Sequence, residues 1–145
     1  MDWWLYLLTS FDGRISRQPF WIALLPLLAA ELAADFLMGD RWSSIVSLLV
    51  AFPQFAIIAK RGHDRNVPTW VVGIFIFGGV ILDLLTVAGL AGSPEHPDTI
   101  FLVLAIPLGI LALVLLVDFG FRRGTAGPNR YGPDPLEGAS GASLS

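Results

Sequence analysis

Residues 100–120 read IFLVLAIPLGILALVLLVDFG, and no charged side chain interrupts positions 99–117. As a helix this run is apolar on every side, so no face remains for water. At about 1.5 Å of rise per residue, about 20 such residues cross a hydrocarbon layer roughly 30 Å thick. A surface helix of a soluble domain would instead carry one polar stripe. The segment reads as a membrane span, and it fixes the solvent for the rest of the chain.

Three further stretches meet the same length requirement: residues 20–38 (FWIALLPLLAAELAADFLM), 42–59 (WSSIVSLLVAFPQFAIIA) and 70–91 (WVVGIFIFGGVILDLLTVAGLA). The connections at 39–41, 60–69 and 92–99 are short, and short links make successive helices antiparallel neighbours. The 145 residues are 54% hydrophobic and 14% charged, against the roughly 25% charged that a soluble domain uses to cover its surface. The expected fold is all-α: an integral-membrane, up-down four-helix bundle over residues 1–123. Residues 1–11, with Trp3, Trp4 and Tyr6 close together, read as a short amphipathic helix in the interface, where aromatic rings settle at headgroup depth. Asp2 and those aromatics do not fit a secretory signal peptide, which opens on a positive region. Residues 124–145, rich in Gly, Pro and Ser, read as a flexible, disordered tail.

The cations set an orientation. Arg14, Arg17, Lys60, Arg61, Arg65, Arg122, Arg123 and Arg130 share one side of a four-pass topology, and only Arg41 falls on the other, near Glu95 and Asp98. Cytoplasmic loops carry the excess of Lys and Arg. Both termini and the 60–69 connection are therefore expected in the cytoplasm.

The same composition narrows the chemistry. A net charge of −3 leaves no basic footprint for nucleic acid. With no Cys, and with His63 and His96 on opposite sides, no transition-metal centre is expected. No P-loop, GxSxG or HExxH pattern occurs, so neither a cofactor nor an enzymatic activity is expected.

Two polar constellations remain. Lys60, Arg61, His63, Asp64 and Arg65 fall within six residues. Structurally they read as a positive anchor in which Asp64 caps the third helix or pairs with Arg61. Functionally they read as a site in which Asp64 orients His63 while Arg14, Arg17, Arg61 and Arg65 hold an anion. Anionic headgroups suit it, since each basic group near a membrane surface contributes roughly 1 kcal/mol of lipid attraction. The second constellation is acidic. An acid at the bilayer centre costs roughly 2.5–3.5 kcal/mol and requires a partner, a proton or water. Asp118 has Arg122 one helical turn on, and Asp35 has Arg41 or water within reach. Glu31 and Asp83 each sit just beyond the midpoint of a span. They face one another across the bundle and share a proton, or each bonds a neighbouring hydroxyl such as Ser47 or Thr86. Pro26, Pro53 and Pro107 are expected to kink three spans. The pairs Ala29/Ala33, Ala30/Ala34 and Ser43/Ser47, with Gly73, Gly78 and Gly79, permit close helix approach, within the bundle or at a seam between copies.

Three motifs carry a resemblance. Phe11-Asp12-Gly13-Arg14-Ile15-Ser16-Arg17, closing on Phe20-Trp21, resembles the FxGRxxRxxFW entry motif of the domain of unknown function 805 family. Lys60-Arg61-Gly62-His63-Asp64-Arg65, with Trp70 beyond, is similar to that family's R-x-HD signature before its third helix. Residues 127–135, GPNRYGPDP, resemble its C-terminal G-x-N-R-[YF]-G-x-x-P element. Gly62 stands where the family often has Leu. The resemblance implies a small four-pass protein of the bacterial inner membrane, with no settled activity. The leading functional expectation is a non-enzymatic module contacting anions or lipids at the cytoplasmic interface, or a scaffold. Its partners would be membrane lipids, a second copy or another membrane protein. The alternative is a small oligomeric transporter or proton or solute pathway using Glu31 and Asp83.

Overall fold

The computed structural model describes residues 2–137, without the side chains of Asp40 and Arg41. The expected partnership of Asp35 with Arg41 and residues 138–145 of the expected tail lie outside the described residues. Five helices follow in order: α1 (Trp3–Thr9), α2 (Arg17–Met38), α3 (Asp40–Asp64), α4 (Thr69–Val87) and α5 (Thr99–Phe121). The last four are long and apolar enough to cross a membrane. Large apolar side chains such as Phe36, Leu49, Phe77, Leu113 and Phe121 are exposed around the bundle, as a hydrocarbon solvent permits. The close pairs are α2 with α3 and α3 with α4, whereas α5 leans mainly on α4 and touches α2 and α3 sparsely.

Two helix ends differ from the sequence reading. The second span was expected to stop at residue 59, before a polar connection, but α3 continues to Asp64. The charges at 60–64 resemble a loop only if they face water, and here they turn inward onto fixed acceptors. The third span was expected to reach residue 91, but α4 ends at Val87. There Gly89 adopts φ +73°, and the N–H groups of Gly89 and Leu90 close back on Thr86 and Leu85, a left-handed helix stop that hydropathy does not register.

The buried core lies toward the end of the bundle that carries both termini. Leu7, Ile15, Phe20, Leu24, Ile57, Val72, Ile76, Leu115 and Phe119 pack together there. Gly62 lets α3 approach closely, because a Cβ at that position would stand 3.4 Å from both Phe119 and Val72. A leucine there would require the neighbouring helices to separate.

Candidate functional site

At the termini end, Arg14, Lys60, Arg61, His63 and Asp64 are all buried. The reason begins with backbone geometry. The last turn of a helix leaves carbonyl oxygens without intrahelical donors, and beside a membrane they need partners from elsewhere in the protein. Arg61 donates from Nε to Phe119 O at 2.6 Å and from Nη2 to Arg122 O at 2.6 Å. Trp21 Nε1 donates to Gly120 O, Arg17 Nη1 to Phe121 O and Arg65 Nη1 to Arg123 O. The C-terminus of α5 is thus closed by cationic and indole donors from α2 and from the end of α3, where positive charge also suits the helix dipole.

Asp64 organises the centre. Its carboxylate accepts from Nε and Nη2 of Arg14, at 3.2 and 2.9 Å, and also from Nη1 of Arg61. Arg14 spends its remaining donors on the backbone of the C-terminal segment: Nη1 on Gly127 O and Gly132 O, Nη2 on Thr125 O. All five of its N–H groups are thereby engaged. Gly124 is required beside this centre, since a Cβ there would fall onto the Asp64 carboxylate. Of the segment expected as a flexible tail, residues 124–137 lie back against the end of α3. Thr125 donates from its N–H and hydroxyl to Asp64 O, and Asn129 Nδ2 donates to His63 O. The Asp134 carboxylate accepts from the N–H groups of Leu136 and Gly127, which hold it below the ordinary aspartate range.

His63 and Asp64 do not form a dyad. The His63 ring bonds Gly13 O through Nδ1 and the Thr69 hydroxyl through Nε2, and stacks on Tyr131 with centroids 3.9 Å apart. Nor does Asp64 cap α4, whose N-cap is Pro68. Lys60, fully buried, donates from Nζ to Tyr6 O and Leu7 O, both at 2.6 Å, and lies over the Tyr6 ring. It closes the C-terminal carbonyls of α1 and holds that helix against α3. The Tyr6 hydroxyl, raised above its ordinary value by burial and then by Asp12, stays protonated and donates to Asp12 O.

Around this saturated centre the other cations lie further out. Arg65 forms a two-pronged pair with Asp118, at 3.1 and 3.0 Å, and Arg122 pairs with the same carboxylate at 3.3 Å. Arg17, Arg122, Arg123 and Arg130 are exposed. Among the described residues no three metal-ligating side chains converge.

The intramembrane acids occupy a separate place. A recess of about 380 Å³ runs between α2, α3, α4 and α5, and both Glu31 and Asp83 line it, close enough to interact electrostatically. Ser47 and Gln54 line the recess beside Glu31. Thr86 is elsewhere, donating to Gly92 O at 2.9 Å. Gln54 is a site residue that sequence reasoning passed over. The available signal was its spacing of seven from Ser47, which puts both on one face of α3. The floor of the recess is apolar: Phe20, Ile58 and Phe119.

Comparison with known proteins agrees with this architecture. The model of a family described as "Protein of unknown function (DUF805)" matches residues 8–133. The uncharacterized protein YiiR of Escherichia coli K12 is 28% identical over 136 residues, covering 90% of this chain and 87% of YiiR. The inner membrane protein YhaH of the same organism is 24% identical over 152 residues, covering 93% of this chain and 97% of YhaH. No solved structure matches. The family match takes in the entry motif, the α3 end and the start of the tail, the three segments that Asp64 and Arg14 tie together, and the chain belongs to the DUF805 family of membrane proteins.

Proposed function

We propose that this protein is a non-enzymatic module of the bacterial inner membrane, with both termini in the cytoplasm, that contacts anionic lipid headgroups and serves as a membrane scaffold. One observation carries the reading: apart from Arg65, half-buried and paired with Asp118, the cations at the termini end divide into two sets. Arg14, Lys60 and Arg61 are buried and satisfied by internal acceptors. They build the platform and have little left to offer a ligand. Arg17, Arg122, Arg123 and Arg130 form an exposed rim around it, and the Arg122 side chain is 68% exposed although it pairs with Asp118. A rim of this sign at the end of a span attracts anionic leaflets by roughly 1 kcal/mol per cation. The role expected of Arg14, Arg61 and Arg65 as direct anion ligands thus passes to the rim, since Arg65 is engaged by Asp118, and Arg17 is the member common to both readings.

Native mass spectrometry of the full chain, released from nanodiscs of equal phosphatidylglycerol and phosphatidylcholine, tests this. Phosphatidylglycerol should be retained preferentially, and Arg122→Glu/Arg123→Glu should lower that preference by at least about tenfold. Equal retention of the two lipids by the unaltered chain would refute the lipid reading. A transport reading finds less support, because the recess holding Glu31 and Asp83 ends on the buried side chains of Phe20, Ile58 and Phe119.

A further inference from the structure

The recess between the four spans is built like a binding pocket with two unlike halves. Its volume of about 380 Å³ falls in the range of small-molecule sites, roughly 300–1,000 Å³. One half carries Glu31, Ser47, Gln54 and Asp83. The other is walled by Phe20, Leu24, Ile58, Leu115 and Phe119. Between Phe20 and Glu31 on α2 the axial distance is roughly 16 Å at 1.5 Å per residue, room for an extended alkyl chain. Glycine keeps the recess open: a Cβ at Gly79 or Gly109 would meet nothing within 4 Å. Gly109 and Leu113 line it from α5 and are themselves exposed on the lipid-facing side, so the recess communicates with the hydrocarbon sideways.

Charge selects the occupant. Two carboxyl groups share this space, and neither Lys nor Arg is among the side chains that line it. Acids inside a membrane require a proton, a partner or water, and a ligand bearing positive charge meets that requirement. A cation reaching the recess from within the bilayer needs hydrocarbon of its own to dissolve there.

We propose that the recess is a binding site for an amine-bearing amphiphile: a protonated amine held between Glu31 and Asp83, with its alkyl chain laid along the apolar half toward Phe20 and Phe119. The site is separate from the arginine rim, and its ligand has the opposite charge.

The test uses the full chain in nanodiscs of phosphatidylcholine, which carries no net anionic headgroup and so leaves the rim reading out of the result. Equilibrium binding of radiolabelled dodecylamine is measured against dodecanol, with empty nanodiscs as background. Dodecylamine should bind saturably at one site per chain, and dodecanol at least about tenfold more weakly. Glu31→Gln/Asp83→Asn should bring amine binding down to the level of the alcohol and leave alcohol binding unchanged. Gly109→Leu, which fills the recess where no neighbour stands, should weaken both. The proposal is overturned if the folded chain shows no saturable amine binding, if amine and alcohol bind equally, or if the acid-to-amide variant binds the amine undiminished.

Discussion

Two regions of this bundle treat polar groups in opposite ways. At the termini end Asp64, Arg14, Arg61, Lys60 and His63 are packed into a centre in which donors meet fixed acceptors, many of them backbone carbonyls. In the recess Glu31 and Asp83 face open space, with Ser47 and Gln54 lining it beside them. Buried charge is tolerated in both, but for different reasons. The first region is held by complete pairing, so removing one member leaves others stranded. The second is kept open by missing side chains, so filling it disturbs little.

The sharpest way to break this contrast is at Asp64. Asp64→Asn removes the charge that two buried guanidinium groups share, and breaking a buried ion pair costs about 3–5 kcal/mol. Thermal unfolding in detergent should show a large loss of stability, with release of residues 124–137 visible as faster amide exchange. A variant as stable as the parent would show that the centre is not held by pairing.

Adjacent glycines offer a finer test, at smaller scale. Gly78 lies against Leu108 of α5, where a Cβ would stand 2.6 Å from a methyl carbon, whereas Gly79 opens into the recess. At Gly78→Ala the Leu108 methyl must move, so the gain from helix propensity should be offset, leaving the variant less stable than Gly79→Ala by about 1 kcal/mol. Gly79→Ala should be neutral or stabilising by up to about 1 kcal/mol, through helix propensity alone. Equal effects would mean that α5 does not stand off as described.

The smallest effect is expected at the end away from the termini. Asp98 caps α5 by accepting from Phe101 N at 2.7 Å, and this bond, followed by that from Gly92, holds its carboxyl below the ordinary value. A carboxyl depressed in the folded state contributes stability above its unfolded value of about 3.9. That contribution is lost as pH falls through the folded value. Amide exchange at Phe101 should therefore accelerate only under strongly acidic conditions.

Much of the architecture was legible in the chain, because a hydrocarbon solvent demands long apolar runs and those runs are plain at 20–38 and 100–120. The ends of α3 and α4 were not. Lys60 to Asp64 have the composition of a wet loop, and what buries them are acceptors in residues 6–7 and 119–122 together with donors from Arg14, Thr125 and Asn129, which no local pattern connects to them. The stop at Gly89 depends on a backbone conformation rather than on hydropathy. At the site, the positions of Glu31 and Asp83 past the midpoints of α2 and α4 were readable from the spans. The pairing of Asp64 with Arg61 was readable three residues apart, but its second partner, Arg14, was hidden. His63 and Asp64 are neighbours in sequence, yet helical geometry sends one toward Gly13 and Tyr131 and the other toward Arg14 and Arg61.

Arg14 bonds carbonyls 113 and 118 positions later in the chain, at Gly127 and Gly132. During synthesis this guanidinium leaves the ribosome long before its acceptors exist. Asp64 becomes available to it once α3 is made, but its remaining donors wait for residues 125–132. Closure of this end therefore depends on residues 125–132, and a chain interrupted before Thr125 would leave those donors of Arg14 without their carbonyls.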